Sequence, residues 1–138
     1  MIHTDGFRLL DRQECLRLLA ETPVGRVVYT RQALPAVLPL NFSLDTDSSV
    51  VLCTSAASEL VRAIDGVVVA FEADDFRAGR RAGWSVVVTG RAAVITDPAE
   101  HERLLRTGPR SWMPMHDGVF VRIGAEMVTG RELTGTPG

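Results

Sequence analysis

Runs of β-branched and other apolar residues, separated by short polar or glycine-containing stretches, dominate the hydrophobic pattern of the chain. Six runs are typical of strands, namely residues 25–30, 36–44, 50–54, 67–73, 85–96 and 119–129. The connections between them are mostly of hairpin length, whereas each parallel pairing would need a crossover of about a dozen residues. A small antiparallel sheet removes its unpaired edges by closing on itself. The pattern therefore predicts a mainly β fold, a six-stranded antiparallel barrel.

Two further segments combine apolar residues at helical spacing with the end signals of helices. The first begins at Asp11, whose carboxylate can cap the free N–H groups while Glu14 completes a capping box. The second is capped by Asp97 and ends at Gly108. A third, shorter helix of about two turns fits within residues 55–66. We therefore expect two or three peripheral helices around the barrel.

Three local features refine the expected strands. Pro39 has no N–H to donate, so the second strand should be bulged or at an edge of the sheet there. Gly90 predicts a bulge or bend in the long fifth run. The connector at residues 45–48 has hairpin chemistry, because aspartate and serine side chains bond back to the turn backbone.

Composition and charge narrow the class of protein. The chain has 138 residues, 46% hydrophobic and 23% charged, which is ordinary for a globular protein and predicts one domain over residues 1–138. The net charge of −2 gives no basic excess that would indicate a nucleic acid or an anionic membrane. Cys15 and Cys53 have neither CxxC nor Cys/His spacing, which argues against a zinc site and against a disulfide scaffold. No signal-peptide core is visible, so we expect a cytoplasmic protein without nucleic-acid or membrane partners.

Familiar catalytic motifs are missing from the sequence. The sequence contains none of the motifs GxGxxG, GxxxxGK[ST], GxSxG and HExxH. No motif therefore supports a nucleotide-binding, serine-hydrolase or zincin site. His3, His101 and His116 are scattered, and we expect surface or loop positions for them. Cys53 is expected to pack as a small apolar side chain. Because no acid–base or nucleophile set emerges, chemistry by this protein would depend on a cofactor.

Four stretches, in order, resemble the pyridoxamine 5′-phosphate oxidase-like family. Residues 83–91, GWSVVVTGR, look like the signature strand of its short actinobacterial-type members. TPVGRV at residues 22–27 resembles the small-residue entry into the first strand, and LPLNF at residues 38–42 resembles the family's "PVNY" strand. VTGREL at residues 128–133 resembles the closing "TGR" element. The resemblance extends over residues 10–133, nearly the whole chain.

The family resemblance implies a split barrel that forms a homodimer, with FMN in a groove between the two subunits. Such a groove suits a flavin, because the ring needs an apolar slot with a few fixed hydrogen-bond donors. Matching positions to the family implies nine cofactor-binding residues: Pro39, Asn41, Thr54, Ser55, Ser58, Trp84, Ser85, Trp112 and Arg131.

The resemblance assigns a role to most of the nine residues. Trp84 and Ser85 would lie at the flavin ring, with the Ser85 hydroxyl as a donor, while Pro39 and Asn41 would face the ring from the LPLNF strand. Trp112 and Arg131 would approach from the C-terminal part of the chain. For both tryptophans the alternative is packing in the core or at the dimer interface.

The expected phosphate site departs from the family pattern. Thr54, Ser55 and Ser58 match the place where the family binds the phosphate tail. Glu59, however, stands where many members have a lysine, and its charge would repel a phosphate dianion. Hydroxyl groups, backbone N–H groups and Arg62 one turn further on could compensate in part.

Two main hypotheses for the function follow. The first is an FMN-dependent oxidoreductase acting on an unidentified small molecule, with catalytic residues that the sequence does not reveal. The second is a non-catalytic split barrel that has lost flavin and binds a ligand, a haem or a partner protein, or serves as a dimeric scaffold. A reductase using a deazaflavin is a third reading. Oxidation of pyridoxamine phosphate itself is not expected, because residues that would grip pyridoxal phosphate are not recognisable.

Overall fold

The computed structural model describes residues 6–112 and 115–135. In this part of the chain, eight strands, three α-helices and one 3₁₀ turn follow in the order β1 (Arg8–Leu10), α1 (Arg12–Ala20), β2 (Val24–Arg31), β3 (Leu34–Leu44), β4 (Val50–Ser55), α2 (Glu59–Ile64), β5 (Val68–Arg77), the 3₁₀ turn (Ala78–Arg80), β6 (Ala82–Val94), α3 (Pro98–Thr107), β7 (Gly118–Ile123) and β8 (Met127–Leu133). None of these helices is long and apolar enough to cross a membrane.

The strands form one antiparallel sheet that closes into a barrel. Their order across the sheet is β1-β8-β6-β5-β2-β3-β4-β7, and β6 also pairs with β7. That last pairing closes a ring of six strands, β2 to β7, while β8 and β1 extend the sheet beyond β6. The prediction of a mainly β, six-stranded antiparallel barrel with peripheral helices is confirmed.

The prediction for the last strand is wrong. The run at residues 119–129 is two strands, Gly118–Ile123 and Met127–Leu133, with the chain turning at Gly124. The Gly124 N–H donates to the Arg91 carbonyl, and β8 then pairs with β6 instead of continuing along β7. β1 was not predicted, because three residues are too few to show alternation, and it exists only by pairing with β8.

β6 changes neighbours near Gly90. Its pairing with β8 ends at Thr89 and its pairing with β7 begins at Ala92, while the ladder to β5 continues through Gly90 without a bulge. A Cβ at Gly90 would collide with the backbone carbonyl of Gly124. Glycine is therefore required here by the close approach of two backbones, and not by a bulge.

The remaining local predictions are confirmed. Asp11 and Glu14 form the capping box of α1, and α3 runs from the Asp97 N-cap to Gly108. Pro39 lies where β3 pairs with β2 alone, because β4 pairs with β3 only from Phe42 onward. In the β3–β4 turn, aspartate side chains accept hydrogen bonds from the turn's own N–H groups.

Alternate residues of the strands fill the barrel with apolar side chains. Val27, Phe71, Val86 and Val88 are fully buried, and the Phe42 and Phe71 rings meet edge to face with centroids 4.7 Å apart. The intervening residues point outward, as the two-residue period of a strand requires. The outer face of the sheet is consequently free to carry the site described next.

Candidate functional site

A cavity of about 390 Å³ opens beside β2, β3 and β4, under the segment that follows α3. Its walls are mainly apolar with a few polar groups: Val24, Pro39, Leu40, Asn41, Cys53, Thr54, Ser111, Trp112 and Met115. Four of the nine residues implied by the family resemblance meet here, namely Pro39, Asn41, Thr54 and Trp112. An apolar slot with convergent polar groups is the usual form of a small-molecule site. We name it the slot.

Asn41 joins the strand wall of the slot to the segment after α3. Its Oδ1 accepts a hydrogen bond from the backbone N–H of Trp112 at 3.1 Å. The Trp112 side chain is nevertheless 72% exposed, so the indole is not packed in the core. This bond leaves the Asn41 amide N–H groups available as donors toward the slot.

Thr54 and Ser58 bond to each other and to helix α2. Thr54 is buried, and its hydroxyl lies 3.4 Å from the Ser58 hydroxyl. The Ser58 Oγ in turn accepts a hydrogen bond from the Val61 N–H at 3.3 Å, as the N-cap of α2. Ser58 therefore serves the helix, while Thr54 alone of the two reaches the slot.

The expected phosphate site carries two carboxylates. The Ser55 hydroxyl donates to the Asp117 carboxylate, with oxygen separations of 2.8 and 2.9 Å. Glu59 forms an ion pair with Arg31 at 2.9 Å, and both side chains are 51% exposed. A phosphate dianion placed beside Ser55 would meet both negative charges. The residues present thus fit a flat ring in the slot but do not fit a phosphate at this place. Asp117 was missed because nothing in the sequence connects it to Ser55.

Ser85 and Arg131 lie together, but away from the slot. They are opposite each other on β6 and β8 and line a smaller cavity of about 150 Å³. The Arg131 guanidinium sits 4.3 Å from the centroid of the Phe7 ring. Trp84 points to the other side of β6 and packs against the core, because neighbours on a strand face opposite sides. Of the nine residues, Ser55, Ser58 and Trp84 line neither cavity.

The slot and the Ser85 cavity share the outer face of the sheet. Ser85 is on β6 and Pro39 on β3, with β5 and β2 between them. Neighbouring strands are about 4.8 Å apart, so the two residues are separated by about 14 Å across the sheet. In a single subunit, a ring held in the slot does not also lie on Ser85.

A charged trio occupies the face between the two cavities. Arg26 on β2 donates to Glu72 at 2.8 Å and to Asp74 at 3.2 Å, both on β5. Burial, followed by the neighbouring Asp74, raises the pKa of Glu72 to about 7, since one arginine compensates two carboxylates only in part. The sequence signal was available, because residues two apart on a strand share a face. Asp75, the chain neighbour of Asp74, instead pairs with Arg77.

Cys53 contributes an inert wall to the slot. The side chain is half-buried on β4, and burial raises the pKa of its thiol. A neutral thiol is a poor nucleophile and a poor metal ligand. Over residues 6–112 and 115–135, no group of three or more histidine, cysteine, aspartate or glutamate side chains is placed to hold a metal ion.

An ion-pair cluster holds α3 in place. Residues that follow this helix in the chain, Ser111 and Trp112, line the slot. The Asp45 carboxylate, only 6% exposed, pairs with Arg103 at 2.6 Å and with Arg122 at 2.8 Å. Glu100 on α3 bonds to the same two arginines. Hydrogen bonds from Arg103 and Arg122 hold the pKa of Asp45 well below its usual range. This cluster ties α3 to the β3–β4 turn and to β7, and was not anticipated from the sequence.

Comparisons with known proteins agree with this architecture. Rv0080, an uncharacterised protein of Mycobacterium tuberculosis, is 48% identical over an alignment of 129 positions, and the alignment covers 88% of this chain and 82% of the relative. The crystal structure of a proposed pyridoxamine 5′-phosphate oxidase from Corynebacterium glutamicum is 29% identical, covers 96% of this chain and 97% of its own, and has a TM-score of 0.80. The structure of an FAD-binding protein from Mycobacterium smegmatis is also 29% identical, covers 91% of this chain and 97% of its own, and has a TM-score of 0.71.

The family can be assigned from a match that runs through almost every element of the barrel. The family model described as pyridoxamine 5′-phosphate oxidase matches residues 11–132, from the cap of α1 into β8. The match includes every residue that lines the slot, all but Leu9 of those that line the Ser85 cavity, and the turn between β7 and β8. The chain belongs to the pyridoxamine 5′-phosphate oxidase family.

Proposed function

We propose that this protein binds a flavin in the slot and works as a homodimeric oxidoreductase on a small molecule. The observation that carries the proposal is the meeting of Pro39, Asn41, Thr54 and Trp112 in one largely apolar cavity. The FAD-binding protein of similar fold from Mycobacterium smegmatis supports a flavin in general. FMN is the form implied by the sequence resemblance, and the cytoplasm is the compartment that we infer from two unpaired cysteines.

Each wall of the slot has a task in this proposal. Pro39 and Trp112 provide apolar surfaces between which a flat ring can lie, and the Asn41 amide and the Thr54 hydroxyl provide polar contacts that orient it. A bound flavin would supply the hydride and electron transfer that this chain's own side chains do not. The protein would hold the ring, keep water from one side of it and select what reaches the other.

The split between the two cavities supports the proposed homodimer. Because Ser85 lies about 14 Å from the slot across the sheet, and Arg131 lies one strand farther away, a second copy could bring its own pair to the ring. The outer face also exposes apolar side chains on five strands, as expected of a surface that another molecule covers: Leu9, Val28, Val37, Val68 and Met127.

The phosphate tail of FMN requires a rearrangement near α2. The ion pair between Arg31 and Glu59 is exposed, and such pairs contribute only about 0–1 kcal/mol. A phosphate near Ser58 could therefore recruit Arg31 away from Glu59.

Trp112 offers a direct test of the slot. We expect Trp112→Ala to weaken FMN binding by about tenfold, because the aromatic surface that would stack on the flavin ring is lost. Phe76→Ala removes an aromatic side chain that is also exposed but does not line the slot, and it should leave the affinity unchanged. Quenching of flavin fluorescence during titration measures both. Equal affinities of the two variants for FMN would contradict the proposed place of the ring.

A non-catalytic split barrel is the second candidate function. It is favoured by Asp117 and Glu59, whose charges stand where a phosphate would bind. If this reading holds, neither FMN nor FAD raises the melting temperature of the protein. Riboflavin, which lacks the phosphate, then separates loss of the phosphate site alone from loss of the ring site.

A further inference from the structure

A second cavity, of about 400 Å³, lies behind the slot, between α3, β7 and the segment that joins them. It shares Cys53, Ser111 and Met115 with the slot as a common wall. Neither the family resemblance nor the proposed function uses this cavity. We call it the rear cavity.

Three basic side chains converge on the rear cavity. His101 on α3, Arg110 and His116 all line it, and none of the three forms a hydrogen bond or an ion pair with the described residues. Arg103 and Arg122 nearby on α3 and β7 are, by contrast, neutralised by carboxylates. Arg110 and His116 are exposed and His101 is half-buried, so all three side chains are available to donate to a ligand that brings its own acceptors.

The charge around the rear cavity is opposite to that of the whole chain. The protein carries a net charge of −2, yet no aspartate or glutamate from the part of the chain that the structure describes lines this cavity. An arginine and two histidines without an opposing carboxylate attract anions. Histidine rings donate a hydrogen bond in either protonation state, so the donors are present throughout the neutral range.

Apolar side chains complete the rear cavity. Phe120 forms its floor and meets the His101 ring with centroids 5.2 Å apart. Leu105, which is 59% exposed on α3, and Met115 also line the cavity. Apolar walls favour an organic ligand with an apolar part over an inorganic ion. The cavity volume of about 400 Å³ falls in the usual range for small ligands.

We infer that the rear cavity binds a small aromatic carboxylate. Its carboxylate would accept hydrogen bonds from Arg110, His101 and His116, and its ring would lie against Phe120 and Leu105. Binding needs no flavin, so this site is independent of the proposed cofactor. With a flavin in the slot, the two ligands would be separated only by the shared wall of Cys53 and Met115.

A pair of isosteric probes tests the rear cavity in the purified full-length protein. We expect 2-naphthoate to bind at least about tenfold more tightly than neutral 2-naphthamide, because only the former satisfies the basic groups. Calorimetric titration gives both dissociation constants without any flavin present. Equal affinity for the two probes would overturn the proposal.

Two arginine variants locate the probe. Arg110→Gln should weaken 2-naphthoate binding by about tenfold. Arg106→Gln, in the last turn of α3 and outside the cavity, should leave the affinity unchanged. Thermal melting verifies that both variants are folded. If Trp112→Ala weakens naphthoate binding and Arg110→Gln does not, the probe occupies the slot, and the inference is wrong. Failure of the flavin titration would leave this result unaffected.

Discussion

Asp45 shows how a single side chain supports the site from a distance. Its carboxylate is almost completely buried between Arg103 and Arg122, which also bond to Glu100. The cluster holds α3 in place, and the segment that covers the slot starts at the end of that helix. Loss of the Asp45 charge would leave the more exposed Glu100 as the carboxylate shared by the two arginines.

We expect Asp45→Asn to lower the free energy of unfolding at pH 7 by about 2–3 kcal/mol, somewhat less than for a fully buried pair because Arg103 is partly exposed. The pKa of Asp45 is lower in the folded than in the unfolded state, so its contribution is present at neutral pH and above the unfolded value of about 4. It is lost as the pH falls toward the folded value. The difference between wild type and variant in urea denaturation should therefore shrink between pH 5 and pH 3.

Asp75→Asn is the matched control for Asp45→Asn. Asp75 also pairs with an arginine, but both partners are exposed, so its loss should cost much less stability than the loss of Asp45. A stability difference for Asp45→Asn that stays constant down to pH 3 would contradict the role assigned to the cluster.

Glu59 is the residue at which the chain departs most clearly from its family. Glu59→Lys replaces a repelling charge beside the expected phosphate with an attracting one, and we expect FMN to bind about tenfold more tightly. Riboflavin affinity should not change, because it has no phosphate. Glu21→Lys, at an exposed position next to α1, controls for the change in net charge. No gain with FMN, or an equal gain with riboflavin, would mean that the phosphate lies elsewhere.

At the residue scale, the sequence predicted individual groups better than their arrangement. Pro39, Asn41, Thr54 and Trp112 were four of the nine implied residues, with Thr54 expected at the phosphate, and the structure brings these four to one cavity. Asp117 could not have been proposed, because its contact with Ser55 depends on the pairing of β4 with β7. Pairings between distant strands leave no local pattern in the sequence.

At the element scale, the long strand β6 connects the largest number of neighbours, because it pairs with three other strands. It pairs with β5 and β8 over its first part and with β7 over its last. Gly90 lies at the change of partners, against the Gly124 backbone. The change of pairing partner from β8 to β7 therefore depends on the absence of a side chain at Gly90.

We expect Gly90→Ala to lower the free energy of unfolding by about 3 kcal/mol, because the added methyl group must push the β7–β8 turn away. Gly79→Ala serves as the control, since a Cβ there meets no atom within 4 Å. That variant should change stability by less than about 0.5 kcal/mol. Urea denaturation measures both. Similar stabilities of the two variants would show that the sheet adapts at Gly90.

Helix ends and hairpins were predictable at this scale because their signals are local. Asp11, Asp97 and Gly108 act through bonds to residues within one turn, and all three behave as expected. The division of residues 119–129 into β7 and β8 was not predictable in the same way. Their apolar residues continue across the turn, and only the pairing of β8 with β6 separates them.

At the scale of the whole molecule, the outer face of the sheet combines the slot, the Ser85 cavity and exposed apolar side chains. Closure of the barrel was predictable from the short antiparallel connections. The separation of the implied flavin residues into two groups was not, since it depends on the order of strands across the sheet. In the dimer that we propose, this face lies between the two copies.

Val37 tests the proposed dimer face. We expect wild type to sediment as a dimer and Val37→Glu to sediment as a monomer, because a charge on an apolar interface is costly to bury. Val67→Glu places the same charge at an exposed valine outside the β-strands, and should leave the dimer intact. A monomeric wild type, or equal dissociation by both variants, would contradict an interface on this face.

The retention of flavin by the wild-type protein tests the central claim most directly. After incubation with FMN or FAD and desalting, the account predicts a yellow protein with visible flavin absorption and quenched flavin fluorescence. A colourless protein, with no change in melting temperature in the presence of either flavin, would contradict it.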